Sequence, residues 1–461
     1  MVSRKGIGWD VSVASIALVV SWCVAAWHLK RQVTLRISTT SLLFGALLLL
    51  HGVPLLSYLY ITGPGTIIYE SALQQLDRDA IIDRLQLAVA LMFLCVTLGS
   101  FVTAGLFPSW AAQLRMLPPK GRSVGIKHVL VSSPARTVFF LIVILVLAAV
   151  AILESQPAKI VNFYSSSLNA FEKAAIRLAS GGSVSYAYNL FVSSLGTFVA
   201  MVAFTSWRFE RGSHLLGIIA AAMVAVLWMA KFATLMKTPP VMFLLQFLLL
   251  YMILTGKTLS IKTILTGLLV VGVLSTLIVK VTFWSLDVWN IYDFIYYRTF
   301  EIPNEVLLEY FAAIPGTLPY EWGTGLFGFL RNASDATSIP TYLAVAAITR
   351  GNLESSSNAM FIADAWAQFS WMGVALFSFL AGAITRWIDL YAFGRGFTDE
   401  SAVIVAACSY GVLTILVTSL PTALVTGGLA LIPLLSFFVS GRASALFHRT
   451  KSMKLAPGSL E

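Results

Sequence analysis

The chain has 461 residues, of which 58% are hydrophobic and only 11% are charged, and its formal net charge is +10. A soluble protein needs more polar surface than this composition offers, so soluble classes are excluded and an all-α polytopic membrane protein is predicted. Basic residues collect in the cytoplasmic loops of membrane proteins, so the positive charge does not indicate a nucleic-acid partner.

The two ends of the chain are interpreted as follows. Arg4 and Lys5 precede the first apolar run, as they would in a signal peptide. No small-residue cleavage site follows, so this run is predicted to remain as an anchor. The whole chain, 1–461, is predicted to form a single transmembrane domain, with residues 456–461 as a non-native tail. The three cysteines lie in apolar windows and have neither disulfide nor metal spacing.

Windows of about 20 nearly uncharged residues, the length that crosses a bilayer as a helix, predict about 11 membrane spans, within a range of about 10 to 13. The predicted spans are Trp9–Leu29, Ile37–Ile61, Leu85–Phe107, Thr137–Leu153, Tyr188–Trp207, Leu215–Ala230, Val241–Leu254, Thr263–Phe283, Phe361–Ile384, Ala402–Leu420 and Leu424–Val439. The last two are predicted to form a tight hairpin around Pro421.

The distribution of basic residues predicts the orientation. An outside N-terminus places most of the 31 Lys and Arg residues on the cytoplasmic side, although Arg4 and Lys5 disagree. The polar segments 62–84, 154–187 and 285–360 then face outward. The last is predicted to be a large extracytoplasmic loop that contains amphipathic helices, and 154–187 a smaller one.

The first outer segment contains LDRDAIIDR, in which Asp77 and Asp79 resemble a DxD pair. Some polytopic glycosyltransferases keep such acids in their first outer loop, often with a metal ion. The pair therefore supports one alternative, a glycosyltransferase that uses a polyprenyl-phosphate sugar. Ordinary solvation of a charged loop explains the same residues.

The second outer segment contains NAFEKAAIRLASGG, in which charged residues alternate with apolar ones at helical spacing. This pattern predicts a second surface helix. Lys173 and Arg177 are candidates for contact with a phosphate group, and a solvated helix face is the simpler interpretation.

The third outer segment opens with RTFEIPNEVLLEYF, residues 298–311, in which Pro303 suits the first turn of a helix. Glu301, Glu305 and Glu309 recur every four residues and would share one face of that helix. The stretch predicts an amphipathic helix near the outer membrane surface or over a cavity. The acids form either a solvated stripe or a site in which one glutamate acts as a base near Arg298.

Aromatic residues concentrate at 284–297, where they form either an interfacial belt or a platform for sugar rings. The following stretch, 314–340, is rich in Gly and Pro and predicts irregular backbone, which near a membrane lines a cavity or lies within protein. Arg331 and Arg350 are candidates for holding phosphates, because guanidinium groups bind phosphate in a bidentate manner. Ordinary ion pairs with Asp335 or Glu354 are the alternative.

Asp364 lies within the apolar run of the ninth span, and Gln368 follows one turn later on the same face. An acid in such a run is costly unless it faces the bundle interior or water, which favours a functional role. A favourable helix dipole is the alternative explanation. Because the span is predicted to end at Ile384, Arg386 is predicted to lie in a cytoplasmic connection.

Several catalytic signatures are missing from the sequence. There is no phosphate-binding GxxxxGK[ST] loop, no HExxH and no Cys/His metal set. None of the five histidines falls within 285–360, which disfavours histidine-based acid–base chemistry there.

The long outer segment, with RTFEIPNEVLLEYF, LPYEWGTG and a span beginning NAMFIADAWAQFSWMG, resembles the O-antigen polymerase family, the Wzy-type polymerases. The specific resemblance covers residues 298–382, and the chain departs from the pattern in having Ser370 where a glycine often follows the aromatic residue. It implies an inner-membrane enzyme that joins undecaprenyl-pyrophosphate-linked oligosaccharide repeats on the periplasmic side.

The resemblance also implies roles for individual residues. Asp364, or else Glu309, is expected to accept the proton of the attacking hydroxyl, and three arginines to stabilise the leaving pyrophosphate. Tyr310 and Trp322 are expected to contact sugars. The three arginines are Arg298, Arg331 and Arg350.

Neither a metal ion nor a nucleotide cofactor is expected, and a chain-length regulator is a possible partner. An O-antigen ligase-like transferase and a lipid-linked oligosaccharide flippase or other transporter remain alternatives. The absence of an internal repeat and the length of segment 285–360 count against transport.

Overall fold

The computed structural model describes residues 12–33, 37–62, 78–116, 134–155, 186–209, 214–232, 238–255, 288–325, 339–351, 359–394 and 396–439, with a few isolated positions between 266 and 280. These residues fold into α-helices, short π-helical turns and connecting turns, and this part of the chain contains no β-strand. The all-α prediction is therefore confirmed for the residues that the structure describes.

The helices are numbered here in chain order. They are α1 Val13–His28, α2 Thr39–His51, α3 Val53–Ser57, α4 Arg78–Leu106, α5 Pro108–Met116, α6 Pro134–Ser155, α7 Tyr186–Leu190, α8 Gly196–Phe209, α9 His214–Lys231, α10 Thr238–Leu254, α11 Val288–Tyr296, α12 Ile302–Ala313, α13 Thr341–Arg350, α14 Phe361–Phe393, α15 Asp399–Ile415, α16 Leu420–Val425 and α17 Leu431–Val439. Four π-helical turns, Leu29–Val33, Tyr58–Thr62, Phe191–Leu195 and Tyr297–Glu301, follow α1, α3, α7 and α11 directly.

Six helical segments among the described residues are long and apolar enough to cross a membrane. They are Val13–Arg31, Thr39–Tyr60, Arg78–Leu106, Tyr188–Phe209, His214–Lys231 and Phe361–Phe393. Two shorter apolar helices, Thr137–Val150 and Pro239–Leu254, coincide with two further predicted spans. These helices support a membrane protein, and the count of about 11 spans stays a prediction.

The structure corrects the predicted spans at two places. Helix α4 begins at Arg78, so the end of the predicted first outer segment, 62–84, is helical. The predicted span Leu424–Val439 is wrong as a continuous helix, because the chain forms the short helices α16 and α17 with a turn between them. At 6 and 9 residues, neither is long enough to cross a bilayer alone.

Helices α4 and α14 run parallel to each other, because Arg84 lies by Trp366 near the beginning of both helices and the two helices meet again further along, where both carry glycine. A Cβ atom added at Gly99 would lie 2.0 Å from the carbonyl oxygen of Phe379, and one at Gly382 would lie 2.0 Å from that of Val96. The two backbones therefore approach more closely than any larger residue permits. We call the end of the bundle at which α4 and α14 begin the site end.

Helices α1 and α2 pack around this pair and fix their direction through polar contacts. Ser15 Oγ donates to Gln86 near the beginning of α4, and His28 Nε2 lies 3.0 Å from Ser100 Oγ nearer its end. Helix α1 is therefore parallel to α4. Helix α2 runs the opposite way, because its first residue contacts the end of α14 and its last, His51, contacts α12.

The end of α14 is buried and polar rather than part of a connection. Asp389 accepts hydrogen bonds from the backbone N–H groups of Thr39 and Thr40 at 2.7 and 3.0 Å, so its carboxylate caps the beginning of α2. Arg386 is 1% exposed. Its predicted placement in a cytoplasmic connection is wrong, because α14 continues beyond Ile384 to Phe393.

A second group of helices, α6 to α10, packs against α15. Lys231 at the end of α9 is buried, and its ammonium group donates to the Val192 carbonyl at 3.0 Å. The rings of Phe243 and Tyr410 lie 5.1 and 5.7 Å from the same nitrogen. A backbone carbonyl and two aromatic faces thus surround this charge inside the bundle.

Helix α14 is broken near its beginning. Phe369 has φ −140° and ψ 18°, and Ser370 has φ +56° and ψ −142°, so neither residue is helical. The positive φ at Ser370 falls in a region that favours glycine. The break separates a short first segment, residues 361–368, from the long segment that continues through the bundle.

Candidate active site

Helix α12, which carries most of the predicted acidic stripe, is buried. Every residue from Asn304 to Ala313 is buried, and the helix packs against α2, α4, α13 and α14. Asn304 Nδ2 donates to the carbonyl oxygens of Leu50 and Phe300, and Asn304 Oδ1 lies 3.0 Å from His51 Nδ1. The predicted helix is present, but its placement on the outer membrane surface is wrong for α12, since all of its faces are buried. Its predicted placement over a cavity stays a prediction.

Glu309 and Arg350 form a direct ion pair in this buried region. Arg350 Nε donates to Glu309 Oε1 at 2.7 Å, and the two side chains are 28% and 0% exposed. Burial alone lowers the pKa of Arg350, but the hydrogen bond and the charge of Glu309 outweigh it, so the pKa is raised. The solvated-stripe interpretation is wrong for Glu309, whose carboxylate needs a cation in order to be buried.

Arg350 reaches Glu309 from the end of α13. The backbone of Gly351, which follows, is left-handed with φ +63°, and this terminates the helix. A basic residue in the last turn is also favoured by the helix dipole. The hydrogen bond that the described residues show for this guanidinium uses Nε, and its two terminal nitrogens carry four further N–H donors.

Glu305, one turn before Glu309, is also buried and accepts a hydrogen bond from Tyr297 Oη at 3.0 Å. Burial raises the pKa of Glu305, and the hydrogen bond from Tyr297 opposes this only in part. Burial and the neighbouring Glu305 carboxylate raise the pKa of Tyr297 to about 12. The solvated-stripe interpretation is thus wrong for Glu305 as well.

Arg298 lies beside this cluster without entering it. Its side chain is exposed, and Cζ lies 5.2 Å from the centroid of the Phe294 ring. The charges of Arg298 and Arg350 both lower the pKa of the Tyr297 hydroxyl, so both arginines lie near that residue. Arg350 contacts the acid Glu309, and Arg298 lies near the same tyrosine. The convergence of these arginines with Asp364 stays a prediction.

Tyr310 connects the ion pair to the beginning of α14. Its side chain is 4% exposed. Burial raises the pKa of its hydroxyl well above the usual value, and the carboxylates of Asp364, Glu321 and Glu309 raise it further. The charges of acids from α12, α14 and the intervening loop therefore all act on this one hydroxyl.

Asp364 occupies the short first segment of α14. Its Oδ2 atom is buried and has no hydrogen-bond partner among the described residues. Gln368, one turn later, donates to Glu321 Oε2 at 2.5 Å, and the backbone N–H of Glu321 donates to the Ala367 carbonyl at 2.9 Å. Glu321 is therefore attached to the same segment that carries Asp364.

The sequence did not identify Glu321 as a site residue. It falls in LPYEWGTG, whose Gly and Pro residues indicated only irregular backbone. The Thr341 hydroxyl also donates to this carboxylate, so Glu321 joins α13 to α14. The sequence shows only that Glu321 is an acid in an irregular segment near the membrane. This pattern does not predict which side chains Glu321 contacts.

Aromatic rings form the other boundary of the site. The Trp366 ring is buried, stacks on Phe311 with centroids 4.7 Å apart, and donates its N–H to the Ile314 carbonyl at 3.0 Å. The Tyr320 ring meets Trp366 edge-on at 5.5 Å. Trp322 is 67% exposed with φ +48°, so its indole extends from a tight turn into the surroundings.

Several predicted residues lie outside the described part of the chain. They are Arg331, Lys173, Arg177, Asp77, Asp335 and Glu354. Asp79 is described and is exposed in the first turn of α4. Among the described residues, no group of three His, Cys, Asp or Glu side chains could hold a metal ion.

Comparison with known proteins gave no relative on which to base an assignment. No protein-family model matches the chain, and neither a curated protein nor a solved structure does.

Proposed function

We propose that this protein polymerises oligosaccharide repeats that are linked to undecaprenyl pyrophosphate, by glycosyl transfer at the periplasmic face of a bacterial inner membrane. The observation that carries the proposal is the buried Oδ2 of Asp364, which has no hydrogen-bond partner among the described residues, on a helix that packs against α12 with its Glu309–Arg350 pair. A carboxylate oxygen that no described residue hydrogen-bonds, at the end of apolar helices, suits the acceptance of a proton from a substrate.

The proposed reaction is a displacement at an anomeric carbon. The Asp364 carboxylate takes the proton of a sugar hydroxyl on the incoming repeat, and the hydroxyl oxygen forms a bond to the anomeric carbon of the growing chain. The bond from that carbon to the pyrophosphate oxygen breaks, and the lipid pyrophosphate leaves with the electron pair. The net result is one new glycosidic bond and one free lipid pyrophosphate.

Arg350 stabilises the charge that develops on the leaving pyrophosphate. Glu309 holds the guanidinium by its Nε group, which leaves the terminal N–H groups directed at the substrate. This arrangement supports a role for Glu309 in positioning Arg350 rather than in accepting the proton. Arg298, exposed and close to Tyr297, is a second cation for the same pyrophosphate.

The sugar units lie against the aromatic part of the site in this proposal. Trp322 is exposed on a turn that Glu321 attaches to α14. Aromatic faces bind sugar rings well because each ring has an apolar face, and an indole fixed by its backbone loses little conformational freedom on binding. Tyr310, being buried, supports the carboxylates rather than touching the sugar.

The experiment is a polymerisation assay with the purified full chain in vesicles that contain undecaprenyl-pyrophosphate-linked repeats and no ion gradient. We expect a ladder of products from the wild type. Asp364→Asn should lower the rate by at least about 100-fold, and Arg350→Gln by about 10- to 1000-fold. Asp79→Asn, which changes an exposed acid on α4, serves as the matched control and should stay within about twofold.

Each competing function predicts a different result from this assay. Loss of activity in Asp79→Asn or on chelation of divalent metals would favour the DxD glycosyltransferase instead. A product with repeats attached to a different acceptor, without a ladder, would favour a ligase. Movement of the lipid across the vesicle without any new glycosidic bond would favour a flippase, and full activity of Asp364→Asn would refute the proposed base.

A further inference from the structure

Arg84 is a cation at the site end to which the proposed reaction assigns no role. It lies near the beginning of α4, is half-buried, and has Cζ 6.0 Å from the centroid of the Trp366 ring. A cation over an aromatic ring keeps its N–H groups available for hydrogen bonds to an anion. Among the described residues, the Trp366 ring is the aromatic group that Arg84 contacts.

Arg84 lies on the opposite side of α12 from the Glu309–Arg350 pair. Glu309 and Phe311 are two positions apart on that helix, which separates their side chains by about 200°. Phe311 stacks on the Trp366 ring that Arg84 covers, whereas Glu309 contacts Arg350. The site end therefore has a cation on each side of α12.

Below Arg84, an exposed apolar stripe continues along α4. Leu87 follows Arg84 by three positions, and the stripe continues through Leu94, Leu98 and Phe101, all exposed. Side chains at these spacings lie on one face of a helix. A hydrocarbon chain lying along this stripe would place its polar end beside Arg84.

Helix α14 presents a similar face at the same end. Trp371, Met372 and Leu376 are exposed there, and the Trp371 ring meets Trp366 edge-on at 5.2 Å. Because α4 and α14 run parallel, both apolar faces begin at the site end. Tryptophan at such a level suits the boundary between hydrocarbon and headgroups.

We infer that Arg84, with the rings of Trp366 and Trp371, forms a binding site for the phosphate end of a second polyprenyl-phosphate lipid. The identity of the lipid rests on the proposed function, in which two lipid-linked substrates must meet. The guanidinium makes paired hydrogen bonds to phosphate oxygens, and the prenyl chain lies along α4. The two lipids then flank α12, one at Arg84 and one at Arg350.

The test measures lipid binding without turnover. The purified full chain in nanodiscs is titrated with undecaprenyl phosphate, and bound lipid is counted by native mass spectrometry. We expect Arg84→Gln to raise the Kd for undecaprenyl phosphate about tenfold and Arg84→Lys to raise it about threefold. Arg84→Lys keeps the positive charge, so it also serves if Arg84→Gln fails to fold.

Arg31→Gln is the matched control. Arg31 also lies over a tryptophan, with Cζ 5.9 Å from the Trp27 ring centroid, but at the opposite end of the bundle. Arg31→Gln should leave the Kd for undecaprenyl phosphate within about twofold of the wild-type value. Binding by Arg84→Gln that equals wild-type binding would overturn the inference. So would equal binding of phosphatidylglycerol at the same mole fraction, or displacement of the lipid by millimolar inorganic phosphate.

The outcome separates this inference from the proposed function. If the wild-type protein makes no polymer but Arg84→Gln still raises the Kd for undecaprenyl phosphate, the proposed reaction is wrong and the lipid site is supported. If the protein polymerises repeats and Arg84→Gln binds normally, the site is wrong and the reaction stands.

Discussion

At the residue scale, the Glu309–Arg350 pair explains how a carboxylate that is fully removed from solvent is tolerated. An isolated buried charge is strongly unfavourable, whereas a paired and hydrogen-bonded one is not. The two partners are not equivalent, because Arg350 is partly exposed and can turn towards water, while Glu309 cannot. Removing Arg350 should therefore lower the free energy of unfolding more than removing Glu309 does.

Arg350→Gln should destabilise the protein by about 3 kcal/mol, because it leaves the Glu309 carboxylate buried and unpaired. Glu309→Gln should cost only about 1 kcal/mol, and the double substitution should cost less than the sum of the two by about 1 to 2 kcal/mol. Unfolding in detergent, followed by circular dichroism, measures these differences.

Arg298→Gln is the control for this cycle, since its exposed side chain should contribute less than about 0.5 kcal/mol. Strictly additive effects of the Glu309 and Arg350 substitutions would contradict a direct energetic coupling between them.

Sequence patterns predicted the spacing of site residues better than their environment. The interval of four correctly placed Glu305 and Glu309 one turn apart on a helix, whereas Glu301 ends the preceding π-helical turn. Periodicity does not reveal what covers the helix. Asp364 was found because an acid in an apolar run is unusual. Glu321 was missed because its significance comes from Gln368, which lies far away in sequence.

At the scale of single helices, the break in α14 determines how Asp364 is presented. A continuous helix would carry Asp364 on the same straight axis as the membrane segment, whereas the break lets residues 361–368 take a separate direction. Interrupted helices of this kind are common where membrane proteins bind substrates. Ser370 adopts positive φ there, although glycine would do so without steric cost.

Ser370→Gly should therefore stabilise the protein by about 1 kcal/mol, because glycine relieves the unfavourable backbone conformation. Ser378→Gly, in the regular part of the same helix, is the matched control and should destabilise by about 0.5 to 1 kcal/mol. Thermal unfolding of the two variants in the same detergent measures both. Destabilisation by both substitutions would argue against positive φ at Ser370.

Hydropathy predicted where helices run but not where they bend or how far they extend. Length and apolar composition correctly predicted that the six long apolar segments are helical. The extension of α14 to Phe393 was missed because Arg386 and Asp389 interrupt the apolar pattern. Their burial depends on contacts with α2, such as Thr39 with Asp389, which no local pattern contains.

At the scale of the whole molecule, the direction of the helices puts all the proposed site residues at one end. Ser109 follows the end of α4, and Thr317 lies in the loop after α12, so the two exposed residues mark opposite ends of the bundle. If the proposed orientation is correct, Thr317 faces the periplasm and Ser109 the cytoplasm.

This arrangement predicts the labelling of single cysteines. In a background with Cys23, Cys95 and Cys408 replaced by alanine, Thr317→Cys should react with a membrane-impermeant maleimide on intact spheroplasts. Ser109→Cys should react only after permeabilisation. Reversed labelling would contradict a periplasmic site, and labelling of both from one side would contradict the helix directions themselves.

The parallel alignment of α4 and α14 also imposes a parity rule on the chain between them. If two helices cross the membrane in the same direction, the chain between them must cross it an odd number of times. If the apolar helices α6, α8, α9 and α10 each cross once, one more crossing is needed, and the predicted span Thr263–Phe283, most of which lies outside the described residues, supplies it. A related sequence can therefore gain or lose membrane crossings between α4 and α14 only in pairs. One added or lost crossing would reverse the direction of α14 and place Asp364 on the other side of the membrane.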